Sequence, residues 1–164
     1  MVKIISANSK DLIQIQSIAN HTWPHTFGGI LTPKQIEYML NWMYNLENLE
    51  NQLNAGHQFF LADDAGQKLG FIGIEPNYEP EKLKIHKIYI LPSAQGKGVG
   101  KKLFSKIREV AKEYDQKTLT LNVNKENKPA IDFYLHSGFK EIRREVIDIG
   151  NGFVMDDIVF ELRL

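Results

Sequence analysis

The chain has 164 residues, of which 43% are hydrophobic and 24% charged. That balance supports one packed domain over residues 1–164 and excludes a disordered chain. Lys plus Arg equals Asp plus Glu at 20 each, so the basic excess of a nucleic-acid binder is missing, and cysteine is absent, which excludes disulfides, thiolate metal sites and a cysteine nucleophile.

The first twenty residues carry Asp11 within them and no unbroken apolar core, so they do not read as a signal peptide. No run approaches the roughly 20 apolar residues of a membrane span. The expectation is a cytoplasmic protein with no membrane or nucleic-acid partner.

Val2–Ile5 reads as a short strand. Ser9 and Asp11 open a helix whose apolar Leu12, Ile15, Ile18 and Ala19 recur at helical spacing. Pro24 is expected to end it, leaving His25–Gly29 as a loop. Thr32, Pro33 and Gln35 give the start signals of the next helix, with Ile36, Met39, Leu40 and Met43 as its buried stripe. Leu46, Leu49 and Leu53 continue as a short helix stopped by Gly56.

Gln58–Ala62 and Leu69–Ile74 flank the turn Asp64–Gln67 and read as a hairpin. Residues 76–82 read as an acidic loop, with Glu75, Glu79 and Glu81 as either plain solvated surface or a surface that could attract a polycation. Leu83–Leu91 is the next strand. Its apolar residues change parity between Ile85 and Ile88, which predicts a bulge near His86 and Lys87. Val99, Leu103, Ile107, Val110, Ala111 and Tyr114 then mark a long amphipathic helix. Thr118–Val123 is a buried strand, and Asn127 and Pro129 open a helix closed by Gly138. Phe139–Ile149 and Asp156–Leu164 are closing strands around Gly150–Gly152. The expected fold class is α/β: a mixed, mostly antiparallel sheet with helices on both faces.

Between the strand ending at Pro92 and the long helix lies Gln95–Gly96–Lys97–Gly98–Val99–Gly100–Lys101–Lys102. A strand-to-helix junction concentrates unpaired backbone N–H groups and the positive end of the helix dipole, and both suit an anion. The glycines permit positive φ and close approach, while Lys97, Lys101 and Lys102 add charge. A P-loop would need Gly five residues before Gly100 and Ser or Thr after Lys101; Gln95 and Lys102 stand there instead. A dinucleotide fingerprint would need Gly-x-Gly-x-x-Gly, and the third glycine here comes one residue too early.

Gln95, Gly98 and Gly100 resemble the Gln/Arg-x-x-Gly-x-Gly/Ala motif of the GNAT acetyltransferase superfamily. Asn127, Ala130, Phe133, Tyr134, Gly138 and Phe139 resemble that family's later motif, in matching element order. Within the superfamily, Trp23, Thr26, Phe27, Met39, Leu40, Met43, Tyr44 and His86–Tyr89 resemble the PaiA-like branch, which is associated with polyamine acetylation.

The resemblance implies the GNAT fold and transfer of acetyl from acetyl-CoA to a primary amine, such as a polyamine. It implies that Gln95, Gly96, Lys97, Gly98, Val99, Gly100 and Lys101 hold the pyrophosphate, with Asn127 and Tyr134 also at the cofactor. Ile88 and Ile90 fall on the strand that pairs with the pantetheine arm, and a backbone N–H there could steady an oxyanion. Tyr134 matches the acid that protonates the leaving thiolate.

An alkylamine with pKa about 10.4 is protonated at neutral pH, so a base must take its proton. Glu75 and His86 are the candidates, with Glu75 ranked first. Trp23, Phe27 and Trp42, with Tyr44, are either plain core or an aromatic wall for the acceptor. Asn127 is either a helix cap or a cofactor contact. His21 and His25 lie four apart, but Pro24 between them and the lack of a third ligand argue against a metal. A protein N-terminus or lysine is the alternative acceptor, and a non-catalytic acyl-CoA sensor the alternative class. A homodimer through the closing strands is left open.

Overall fold

The computed structural model describes residues 1–164. In chain order the elements are β1 (Val2–Ala7), α1 (Leu12–Phe27), α2 (Pro33–Met43), α3 (Leu46–Asn54), β2 (Gln58–Asp64), β3 (Gln67–Glu79), β4 (Lys82–Ile90), α4 (Val99–Glu113), β5 (Thr118–Asn124), α5 (Lys128–His136), β6 (Lys140–Gly150) and β7 (Phe153–Arg163). The seven strands form one sheet in the order β1-β2-β3-β4-β5-β7-β6. Only β4 and β5 run parallel, with α4 as their crossover; every other pair is antiparallel.

Each face of the sheet has its own core, as strand alternation requires. Phe60, Ile72, Ile74, Leu83, Ile85, Leu119, Leu121, Ile158 and Phe160 pack with Val99, Leu103, Ile107 and Val110 of α4 and Tyr134 of α5. Phe59, Leu61 and Phe71 face the other way, onto Leu12, Ile15 and Trp23 of α1, Met39 of α2 and Leu49 of α3. Truncating a residue such as Ile107, fully buried against the sheet, would cost about 2–5 kcal/mol. No helix is long and apolar enough to cross a membrane.

Two local expectations are corrected. Helix α1 does not stop at Pro24 but runs through it to Phe27. Proline forfeits its own N–H bond and crowds the carbonyl four residues back, and burial of Trp23 and Phe27 on the same face outweighs that cost. The acidic stretch 76–82 is not a free loop, because β3 continues to Glu79. Glu75 pairs with Lys84 and Glu79 with Lys82, leaving Pro76–Tyr78 opposite Leu83 alone. Pro76, which has no N–H for the ladder, is accommodated where the ladder is interrupted. Asn77, at φ 56°, donates its N–H to the Gln116 side chain at 2.7 Å.

The parity change in β4 does mark a bulge. Gly73 faces Lys87 and Ile74 faces Ile85, so His86 is the extra residue. Helix starts follow their cap residues: Thr32 accepts from Gln35 N–H at 3.2 Å, and Asn127 accepts from Ala130 N–H at 3.4 Å.

Candidate active site

The sheet opens at its centre. β4 and β5 pair only from Lys82–Ile85 to Thr118–Leu121. Past that point β4 keeps β3 as its partner as far as Ile90, and β5 keeps β7. The facing edges of β4 and β5 therefore part company at the bulge, and their backbone groups are left for a ligand. Two cavities fill this opening, one on each side of the sheet plane, and they meet at Ile88, Tyr89, Asn127, Ala130 and Tyr134.

The larger cavity, about 440 Å³, is a groove between the end of β4, the N-terminus of α4 and the start of α5. Gly98 caps α4 at φ 75°, and Gly96 stands at φ 80°, both in the left-handed region open to glycine. The Lys97 N–H is taken by Ala94 C=O at 3.3 Å and the Lys102 N–H by Gly98 C=O at 3.2 Å. The N–H groups of Gly96, Gly98, Val99, Gly100 and Lys101 have no acceptor within the protein. Five free donors on one turn, at the positive end of a 15-residue helix, fit a diphosphate. The gap at Gly98 is open, since an added Cβ would meet nothing within 4 Å. Gln95 supports the turn by donating Nε2–H to Ile90 C=O at 3.3 Å. Lys102 is not part of the cradle: its Nζ donates to Val2 C=O at 2.7 Å.

The smaller cavity, about 140 Å³, lies under α1 and α2 against β4, β5 and β7. Trp23, Phe27, Leu31, Met39 and Met43 form its apolar wall, and Gln35, His86, Lys87, Asn122, Asn124 and Asp157 bring the polar groups. Tyr134 reaches it from α5, held among Phe104, Phe133, Phe139 and Phe160 at ring separations of 5.3–6.3 Å. Burial raises the Tyr134 pKa, so its hydroxyl keeps its proton at neutral pH.

His86 lines this cavity and Glu75 does not. The two are nevertheless joined: His86 Nε2 lies 2.9 Å from Glu75 Oε1, and His57 Nε2 approaches the same oxygen at 3.2 Å. The two imidazoles stack with centroids 4.6 Å apart. A carboxylate only accepts, so both rings carry hydrogen on Nε2, and Nδ1 of His86 is left as an acceptor. Burial pushes the His86 pKa down to about 4, against the raising effect of Glu75, with His57, Lys84 and Lys87 adding to the fall. His86 is therefore a neutral imidazole at pH 7, able to take a proton. His57, Glu75 and His86 could also offer three ligand atoms within 4.8 Å of one another to a cation. Against that, the buried Lys87 stands close enough for its charge to lower both histidines.

The expected site residues are thus distributed unevenly. Ile88, Ile90, Gln95, Gly96, Gly98, Val99, Gly100, Asn127 and Tyr134 line the groove, while Lys97 and Lys101 do not. Asn127 is both helix cap and groove wall. Trp23 and Phe27 line the smaller cavity. Trp42 does not; it is 48% exposed and packs on Tyr38 at 6.3 Å. Tyr44 is core. The acidic stretch is not a free polycation surface, since Glu75 is held by two histidines and Glu79 by Lys82 at 2.9 Å. His57, Gln35, Asn122 and Asp157 escape sequence reasoning. Only Asp157 carried a signal: aspartate is rare inside an apolar strand such as Met155–Phe160.

Residues 14–139 match the acetyltransferase (GNAT) family. The chain belongs to this family, whose members are acetyl-CoA-dependent N-acetyltransferases. It is 27% identical over 157 residues to an uncharacterized N-acetyltransferase in the pepI 3' region of Lactobacillus delbrueckii subsp. lactis, covering 92% of this chain and 91% of that one. It is 26% identical over 144 residues to a spermidine N(1)-acetyltransferase of Thermoplasma acidophilum, covering 85% and 88%. Its fold matches that of a PaiA N-acetyltransferase from Thermoplasma acidophilum, solved with coenzyme A, at TM-score 0.84, 23% identity and 100% and 99% coverage.

Proposed function

We propose that this enzyme acetylates the primary amine of a small, linear substrate, a polyamine being the class that fits best. The carrying observation is the junction of the two cavities at Ile88, Tyr89, Asn127, Ala130 and Tyr134. Donor and acceptor can be present together, one entering from each side of the parted strands.

Acetyl-CoA, the co-substrate, supplies a thioester that an unprotonated amine attacks with release of the thiol. The free N–H groups from Gly96 to Lys101 would bind its diphosphate, and the unpaired edge of β4 at Ile88 and Ile90 its pantetheine arm. His86 takes the proton of the entering ammonium, while Glu75 fixes the ring and offsets the charge it gains. Tyr134, protonated through burial, gives its proton to the leaving sulfur.

The smaller cavity sets the substrate size. At about 140 Å³ it is well below the roughly 300–1,000 Å³ of pockets for drug-sized ligands, and it admits a slender alkyl chain rather than a peptide. The spermidine N(1)-acetyltransferase among the relatives supports the same reading. Release of thiol from acetyl-CoA across a panel of amines, peptides and lysine derivatives tests it. Turnover confined to short linear amines is expected; turnover confined to peptides overturns the small-amine reading. Binding of CoA with no turnover on any amine would favour a non-catalytic sensor.

A further inference from the structure

We propose that Asp157 anchors a second positive charge on the acceptor, so that the enzyme takes linear diamines and polyamines in preference to monoamines. The proposal rests on the small-amine reading above and names the residue that would select within that class.

Asp157 sits mid-strand on β7, opposite Asn124 of β5 and Glu145 of β6. It is 3% exposed and is the single acidic residue lining the acceptor cavity. Its one hydrogen bond comes from Asn122 Nδ2–H, 3.2 Å from Oδ2. No cation of the protein pairs with it. Lys125 is taken by the adjacent Asp156 at 2.7 Å, and Lys87 Nζ donates to Gln52 Oε1 at 2.9 Å. A carboxylate in this position either stays protonated or needs a cation from outside. Burial accordingly raises its pKa.

Lys87 lines the same cavity, but its Nζ donates to Gln52. Asn122 gives one amide N–H to Asp157, and Gln35 gives its amide N–H groups to Val154 C=O at 2.8 Å and the Met39 sulfur at 3.8 Å, so the oxygens of both amides stay free. A carboxylate with the free oxygen of the adjoining Asn122 amide suits the N–H bonds of an alkylammonium. The rest of the wall is methionine and aromatic, which suits the methylenes between two amines. The nitrogen held at Asp157 cannot be the one that attacks, because an ion pair keeps its proton in place. It is the nitrogen that stays charged. Asp157, Tyr89 and Tyr134 line the same cavity, so the anchor and the transfer point share it.

The test compares kcat/KM for 1,4-diaminobutane and n-butylamine in wild type, Asp157→Asn and Asp157→Glu, with acetyl-CoA affinity measured alongside. Wild type should favour the diamine by roughly thirtyfold or more, the worth of a desolvated charge pair. Asp157→Asn should erase most of that ratio, and Asp157→Glu should keep part of it. A wild type without preference, or an Asp157→Asn variant that retains it, overturns the proposal while leaving the acetyltransferase reading intact. Absence of turnover on every amine would instead defeat the acceptor reading. Calorimetry of spermidine with the CoA-loaded protein then decides the anchor alone: weaker binding in Asp157→Asn upholds it, and equal binding sinks it.

Discussion

The groove at the start of α4 and the smaller cavity under α1 and α2 share five residues and are otherwise made of different material. The groove is made largely of backbone: five N–H groups on one turn, two glycines in the left-handed region and one unpaired strand edge. The acceptor cavity is made of side chains brought from α1, α2, β4, β5, β7 and α5. Backbone recognition suits a ligand that never changes. Side-chain recognition can be altered one residue at a time, without disturbing the groove. The difference predicts that substitutions will separate cleanly into those that move the acetyl-CoA constant and those that move the amine constants or turnover.

The largest effect is expected at the shared boundary. Tyr134→Phe keeps the ring stack but removes the proton donor, and should lower kcat by about 10²–10⁴-fold with acetyl-CoA affinity changed less than about threefold. A rate near wild type would remove Tyr134 as the acid.

His86→Gln should lower kcat/KM by about a hundredfold or more. Wild-type activity should fall on the acid side as His86 gains its proton near pH 4, and the variant should lack that limb. The same residue bears on stability. Its folded pKa lies below the unfolded value of about 6.5, so the unfolded chain binds the proton first. Its contribution to stability is complete above pH 6.5 and is lost as pH falls from there toward 4. Urea titrations across that window should show a shallower decline in His86→Gln.

On the backbone side, Gly98→Val should weaken acetyl-CoA binding by roughly tenfold to a hundredfold. An added Cβ finds empty space, so crowding within the protein is not the cause. A β-branched residue at φ 75° is strained by about 1–3 kcal/mol, and relief of that strain would turn the N–H groups away. Calorimetry with CoA reads this directly, and unchanged affinity would refute the cradle. The smallest effect is expected at Trp42→Ala, which lies outside both cavities: less than a twofold change in any constant for amine or acetyl-CoA. A large rise in the amine KM there would restore Trp42 to the acceptor wall.

The legibility of the two sites in the sequence follows the same division. The cradle could be read because its glycines, lysines and helix start lie within eight consecutive residues. The His86 bulge could be read because a parity change is local to one strand. Pro24 misled because the rule that proline ends helices weighs the local backbone cost and not the burial of Trp23 and Phe27 on either side of it. Trp42 misled because an aromatic at helical spacing does not say which flank of α2 meets the sheet. Glu75 and His86 could be named singly, yet their contact crosses the β3–β4 ladder, and the stacked His57 comes from the start of β2.

By itself the sequence determined the element order, the caps and the glycine-rich turn before α4, because these depend on neighbours a few residues apart. Tertiary structure alone decided where β4 and β5 part, that Asp157 lines a cavity without an ion-pair partner, and that Tyr134 lines both cavities. Those outcomes depend on sheet register and on helix packing across more than a hundred residues of chain, as between Gln35 and Val154. Periodicity states that a residue is buried; only the folded sheet states what it is buried against.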